Sequence, residues 1–166
     1  QSRVINYNEF FDYSINLNPV AGNREDRLVG PRHGPYAFLS NFYRAPITVD
    51  GKEYPTTEHF YQASKTLIIE EHEMVRNLAT PKEAKFTGYH VALQPNWDKI
   101  KFDVMLDALR AKFSQHPDLK EKLLSTGVVG LHEDSPWDKY WGFAKGKGLD
   151  MLGKALMQIR EELRNE

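Results

Sequence analysis

Pro55-Thr56-Thr57-Glu58-His59-Phe60-Tyr61-Gln62-Ala63-Ser64-Lys65 is the stretch on which the reading of this chain turns, because it opens a helix and spaces an acid, an amide and an amine at intervals of four and three residues. Helical side chains at those intervals share a face, so Glu58, Gln62 and Lys65 are expected to form one polar stripe while Phe60, Ala63 and Leu67 form an apolar one. Pro55 and Thr56 suit a helix entry, and Glu58 then lies in the first turn, where the positive end of the helix dipole favours a carboxylate. Two readings of the stripe stand at this point: a solvated face with a weak acid-to-amine pairing, or a set of functional groups.

Just upstream, Ile47-Thr48-Val49 and Lys52-Glu53-Tyr54 flank Asp50-Gly51, a pair that readily takes the positive φ values of a tight hairpin turn. Downstream, a short helix is expected from Glu70 to Leu78. Thr80-Pro81-Lys82-Glu83 then forms a capping box with Pro at the first helical position, and Gly88 offers a stop. Asn96 is expected to cap a long helix from Trp97 to about Gln115, in which Ile100, Val104, Met105, Ala108, Leu109 and Phe113 recur at helical spacing. Pro117 starts a helix through Leu124 that stops near Gly127, and Val128-Val129-Gly130-Leu131 reads as a short strand. A last helix, Met151 to Arg164, presents Leu152, Leu156, Ile159 and Leu163. At the amino end, Val4 to Ser14 suits a strand or a short helix, and Asn16 to Pro35, rich in Asn, Gly and Pro, reads as a long surface loop. The class expected is α+β, a mostly helical single domain around a small β-sheet or hairpin.

The 166 residues, 40% hydrophobic and 12% aromatic, match the size of one domain with a substantial core. A formal charge of −1 with 27% charged residues gives no global field for nucleic acid or an anionic membrane. The absence of cysteine removes disulfides, thiolate nucleophiles and sulfur-bound zinc. No apolar run approaches the roughly 20 residues that span a bilayer, and Gln1-Ser2-Arg3-Val4 has no signal-peptide pattern. A soluble chain in the cytoplasm, or in the nucleus of a eukaryote, is the expectation, with a natural start upstream of Gln1 open because Met is missing there.

A second constellation runs from Asp134 through Ser135, Pro136, Trp137, Asp138, Lys139, Tyr140, Trp141, Gly142, Phe143, Ala144, Lys145, Gly146 and Lys147 to Gly148. Aromatic faces stack on planar rings, glycines let a ligand approach the backbone, and amines suit phosphate, so the combination fits a nucleotide-like ligand. Each part also has a plain alternative. Trp137 and Trp141 can pack on the core, and Gly146-Lys147-Gly148 is far short of a Walker loop. Trp97, at a helix start, fits packing or stacking, and Asn41 within Phe38-Leu39-Ser40-Asn41-Phe42 fits a cap or turn.

Leu39-Ser40-Asn41-Phe42, Pro46, Gly51, Tyr54 to His59 with Gln62 and Lys65, Trp97, Lys112-Phe113, Asp138-Tyr140-Trp141-Gly142 and Leu152-Gly153 together resemble the NADAR family, in particular its bacterial YbiA-like N-glycosidases. The resemblance runs in order from about Tyr36 to Leu163. It implies a NADAR/YbiA-like catalytic domain over residues 36–166, with residues 1–35 as an N-terminal segment carrying the loop.

The resemblance also implies an activity, cleavage of the bond between a ribose anomeric carbon and nitrogen. The substrate favoured is ADP-ribosylated guanine in DNA or nucleotides. Phosphorylated intermediates of riboflavin synthesis are the alternative within the family, and a non-catalytic ADP-ribose-binding module is the alternative outside catalysis. By the same resemblance Lys65 is the amine that attacks the sugar to give a Schiff base, with Glu58 or Asp138 accepting a proton or stabilising positive charge on the sugar. An attacking amine must be partly neutral, which burial promotes. Trp97 and Trp141 would shape the site with Phe42, Gln62 and Gly142, Asn41 would bind ribose or base, and Lys145, Lys147 and Gly148 would face phosphate. No cofactor or metal is expected: Glu58-His59 lacks a second histidine one turn on, and the six histidines are scattered.

Two departures from the family pattern put the phosphate register in question. Gly88-Tyr89-His90-Val91 stands where many members carry Gly-Arg before a hydrophobic residue, and the usual Asn before Leu-Gly is replaced within Gly148-Leu149-Asp150-Met151-Leu152-Gly153. An Asp150 pointing inward would repel an anion.

Overall fold

The computed structural model describes residues 4–6, 34–133, 137–143 and 147–166. In chain order its elements are β1 (Val4–Asn6), a 3-10 turn (Ala37–Leu39), β2 (Ile47–Val49), β3 (Lys52–Tyr54), α1 (Thr57–Ala63), α2 (Ile69–Arg76), α3 (Pro81–Gly88), α4 (Trp97–Gln115), α5 (Pro117–Ser125), β4 (Gly130–His132) and α6 (Met151–Arg164). The class is α+β, with helices dominant. Contacts divide the chain into two compact units, residues 44–117 and residues 1–43 with 118–166.

The unit of residues 44–117 is built on the hairpin. β2 and β3 pair antiparallel with Ile47 opposite Tyr54, and Asp50 and Gly51 turn the chain at φ values of 51° and 78°. Both turn residues are left-handed, as a primed two-residue turn demands. Gln115 then ties the hairpin to the end of α4 by accepting from Thr48 N and donating to Thr48 O, both at 2.8 Å. The core of this unit gathers Ile47, Tyr54, Phe60, Ala63, Val75, Ala84 and Ala108.

α3 starts as its sequence dictates. Thr80 accepts from Glu83 N and the Glu83 carboxylate returns to Thr80 N, closing the capping box around Pro81. Gly88 ends the helix without a left-handed φ, so its role is different from the stop expected. A Cβ there would collide with the side chain of Gln62. Asn96 occupies the cap position of α4 at φ 66° but makes no side-chain cap bond, so its contribution is a tolerated left-handed backbone. Along α4, Met105, Ala108, Leu109 and Phe113 are buried as expected, whereas Ile100 and Val104 are only partly covered.

The other unit pairs β1 parallel to β4, with Val4 opposite Gly130 and Asn6 opposite His132. The expected strand is therefore real but shifted toward the carboxyl side, and Val128 is exposed. Val4 to Asn6 form a strand, which settles that part of the amino-terminal ambiguity. Most of the expected loop Asn16 to Pro35 lies outside the described residues. α5 ends at Ser125, and Gly127 just beyond it, at φ 65°, fits a glycine stop. α6 buries Leu152, Leu156, Ile159 and Leu163, and buried Arg160 donates to Thr126 Oγ1 at 2.9 Å and Val129 O at 2.7 Å. No described helix is long and apolar enough to cross a membrane.

Candidate active site

The expected polar stripe is not a solvated face. All residues of α1 from Thr57 to Ala63 are buried, including Glu58 at 7% and Gln62 at 4% exposure. A carboxylate in such a place needs hydrogen-bond donors. One is Gln62 Nε2, which donates to Glu58 Oε2 at 2.6 Å across one helical turn. Among the described residues Gln62 Oε1 has no hydrogen-bond partner and faces the Cα of Gly88.

α1 stops at Ala63, before Lys65, because the chain tightens there: Lys65 N donates to Gln62 O and Thr66 N to Ala63 O. Lys65 therefore follows the helix in a turn. Leu67, expected on the apolar stripe, is 69% exposed for the same reason. The turn is pinned from outside by Gln94, which donates through its backbone N to Lys65 O and through Nε2 to Ser64 O, both at 2.7 Å. Lys65 is half-buried, with its Nζ 5.8 Å from the Tyr61 ring centroid and 5.5 Å from that of Tyr89. Ring faces attract an ammonium group and fix where it sits. Trp97, at 5% exposure, packs on Tyr61 at 5.2 Å, so it braces the Lys65 surroundings and offers no open face for a ligand.

His59, beside Glu58, is wholly structural. Its Nε2 donates to Leu78 O at 2.9 Å, which leaves Nδ1 to accept from Thr56 Oγ1 at 2.8 Å. Burial holds its pKa below the ordinary histidine value. His72 is held alike, donating from Nδ1 to Ala63 O and accepting from the Tyr54 hydroxyl at 2.7 Å, with burial again lowering its pKa. Among the described residues no group of three or more His, Asp and Glu side chains is arranged to hold a metal ion.

Lys112 is the residue whose setting the sequence did not reveal. It sits on α4 between Ala108 and Phe113 with 0% exposure, and burial pulls its amine down to about 7. Its helical phase, four residues after Ala108, places it on the apolar face and was the available signal. Full burial leaves this amine no surface open to a ligand, whereas Lys65 is half-buried.

In the other unit, Asn41 is buried and Phe42 half-buried after the 3-10 turn, and the turn itself is made by Ser40, whose Oγ accepts from Phe42 N at 3.0 Å. Asp138 is exposed and its Oδ1 accepts from Tyr140 N at 3.0 Å and Trp141 N at 2.9 Å. This is a local turn clamp that shapes the aromatic loop. Trp141 is half-buried against Tyr140, whereas Trp137 is 88% exposed. Gly142 is buried, and Gly148, at φ 108°, lies where a Cβ would strike Gly142 O. Lys147 is exposed, and Lys145 lies outside the described residues. Asp150 does not point at a free anion position: its carboxylate accepts from Glu133 N at 2.9 Å and pairs with His132 Nδ1 at 2.5 Å.

A NADAR domain model matches residues 28–164 of the sequence. The chain belongs to the NADAR family. This NADAR chain is 44% identical over 131 residues to N-glycosidase YbiA of Escherichia coli, covering 77% of the chain and 82% of the relative. It is 39% identical over 137 residues to an N-glycosidase of Nostoc punctiforme, covering 79% and 88%. A riboflavin biosynthesis protein of Vibrio vulnificus is 37% identical over 77% of the chain, a match that spans only 36% of that longer protein. The NMR structure of Escherichia coli YbiA superposes with a TM-score of 0.74 at 35% identity, covering 99% of this NADAR chain and 89% of the other.

Proposed function

We propose that this chain hydrolyses a ribose N-glycosidic bond, with ADP-ribosylated guanine in DNA or nucleotides as substrate and Lys65 as nucleophile. The relatives named N-glycosidase support the reaction class. The observation that carries the residue assignment is the buried Glu58–Gln62 hydrogen bond one turn before the half-buried Lys65.

In this reading the Lys65 amine attacks the anomeric carbon, the carbon–nitrogen bond breaks, and the guanine leaves with the electron pair and a proton. The resulting ribosylamine opens as the lysine nitrogen forms a C=N bond, the C1′–O4′ bond breaks and O4′ takes the remaining proton from that nitrogen; water then hydrolyses this Schiff base to release ADP-ribose and the free lysine. Glu58, fixed by Gln62, stabilises positive charge on the sugar and accepts a proton from the amine or water. Glu58 ranks above Asp138 because it lies seven residues before Lys65 and is fixed by Gln62, whereas one oxygen of Asp138 is committed to the Tyr140–Trp141 turn. A net charge of −1 means that the modification, not the nucleic-acid backbone, supplies most of the recognition.

Phosphorylated riboflavin intermediates are the second reading, favoured by the relative named for riboflavin biosynthesis. The test is incubation with guanine-ADP-ribosylated single-stranded DNA, following ADP-ribose release beside a Lys65→Ala control, with chelator present in a parallel reaction. Release by the parent alone supports the proposal. No release directs the assay to the riboflavin intermediates, and tight retention without release by either protein indicates a binding module.

A further inference from the structure

Lys65 Nζ lies near two tyrosine rings, and the rings differ in one respect. Tyr61 is 6% exposed and packed on Trp97, whereas Tyr89 is 68% exposed. Tyr89 therefore contributes little to the core while lying 5.5 Å from the proposed nucleophile. Its backbone is fixed in spite of that exposure. Tyr89 N donates to Phe86 O and His90 N to Thr87 O, and the preceding Gly88 is packed against Gln62.

The two segments nearest in sequence to Lys65 and Tyr89 carry exposed apolar side chains. Leu67 and Ile69 are 69% and 71% exposed, and Leu93 is 59% exposed. The two segments that carry them are joined through Gln94 N to Lys65 O at 2.7 Å and through Ala92 N to Glu71 Oε1 at 2.9 Å. Exposed apolar side chains on two joined segments, one of which carries Lys65, suit a flat apolar ligand surface.

We infer that Tyr89 is a specificity-determining residue whose ring stacks on the departing nucleobase while Lys65 attacks the sugar carbon bonded to it. The inference rests on the glycosidase reading above and adds the base subsite. The reacting atoms of an attack must come within about 3–3.5 Å, and aromatic rings stack with centroids about 4.5–7 Å apart. A base attached to the carbon under attack can come within those limits of a ring centred 5.5 Å from the same amine. Stacking on one base contributes about 1–3 kcal/mol, so the ring is worth roughly a 5- to 150-fold effect on binding.

The test uses the full chain with Tyr89→Ala and Tyr89→Phe, on an ADP-ribosyl-guanine nucleotide and, separately, for equilibrium binding of GMP. Tyr89→Ala is expected to raise KM and weaken GMP binding within that range, with kcat changed only a few-fold, and Tyr89→Phe is expected to behave as the parent. Equal KM and equal GMP affinity for Tyr89→Ala and parent would falsify the stack while leaving the glycosidase reading intact. Equal losses in Tyr89→Ala and Tyr89→Phe would overturn it in favour of a hydroxyl contact. A parent that cleaves nothing overturns the guanine reading, and GMP binding then decides the stack alone: sensitivity to Tyr89→Ala supports it, and no binding by the parent overturns it. Matching thermal midpoints for the three proteins exclude misfolding as the cause.

Discussion

Gln62 stands between Glu58 and Gly88, donating to the carboxylate from one side of its amide while the other side rests on a glycine that has no room for a Cβ. The position of the Glu58 carboxylate thus depends on a residue in α3. Gly88→Ala is favourable for helix propensity by up to about 1 kcal/mol, yet the added methyl must displace Gln62. The expected outcome is a net loss of about 1–3 kcal/mol of stability in urea denaturation, together with lower activity. In a double-mutant cycle Gln62→Ala should relieve most of the stability loss, since it removes the atoms that the methyl strikes. Additive losses would show that the two residues act apart.

Glu58→Gln keeps the shape of the side chain and removes its charge. If the carboxylate handles a proton, turnover falls about 100- to 10,000-fold with substrate binding largely kept. Turnover within a few-fold of the parent would assign Glu58 to structure alone.

Asp138 is distinguished by a pair of variants. Asp138→Asn retains an oxygen for the Tyr140 and Trp141 amides and is expected to keep most activity, whereas Asp138→Ala loses the turn and with it activity. Equal loss in both variants would show that the charge itself is used.

Lys112 makes the stability depend on pH with a definite sign. Its amine titrates near 7 in the folded protein and at about 10.4 when unfolded, so between those values the unfolded chain binds the additional proton. Stability contributed by this group therefore rises from pH 7 to about 10.4, by up to about 1.4 kcal/mol per unit, and the difference saturates below 7. Denaturation of the parent and Lys112→Met across pH 7 to 9.5, a range chosen at roughly these limits, should show the slope flattened in the variant. An unchanged slope rules out the neutral buried amine.

Two histidines act in a lower window. His59 and His72 have pKa values depressed by burial, so the unfolded chain takes up protons first as pH drops below about 6.5. Urea midpoints are expected to fall from there toward the folded values, before most carboxylates titrate. A midpoint that holds level or rises over that interval contradicts the neutral tautomers.

Local chemistry determined a large share of the elements. Asp50-Gly51 specifies its turn through positive φ, Thr80 to Glu83 close a capping box within four residues, and the apolar periodicity of residues 151–164 matches α6 from end to end. These signals act over one or two turns of chain, so they are written in adjacent residues. The family was legible for the related reason that its motifs recur in order along one sequence, and the match to residues 28–164 agrees.

Burial could not be read the same way, because it depends on which distant elements cover a face. The spacing of Glu58 and Gln62 fits a solvated stripe as well as a buried one, and only the packing of α2, α3 and α4 around α1 made it interior. Leu67 left its stripe because the chain turned at Ser64, and Lys112 entered the core because its helical phase faces inward whatever its charge. Sequence by itself determined the helices, the hairpin and the identities of the acid, amide and amine. The tertiary structure decided which were removed from water, since that choice is made by contacts between residues far apart in the chain.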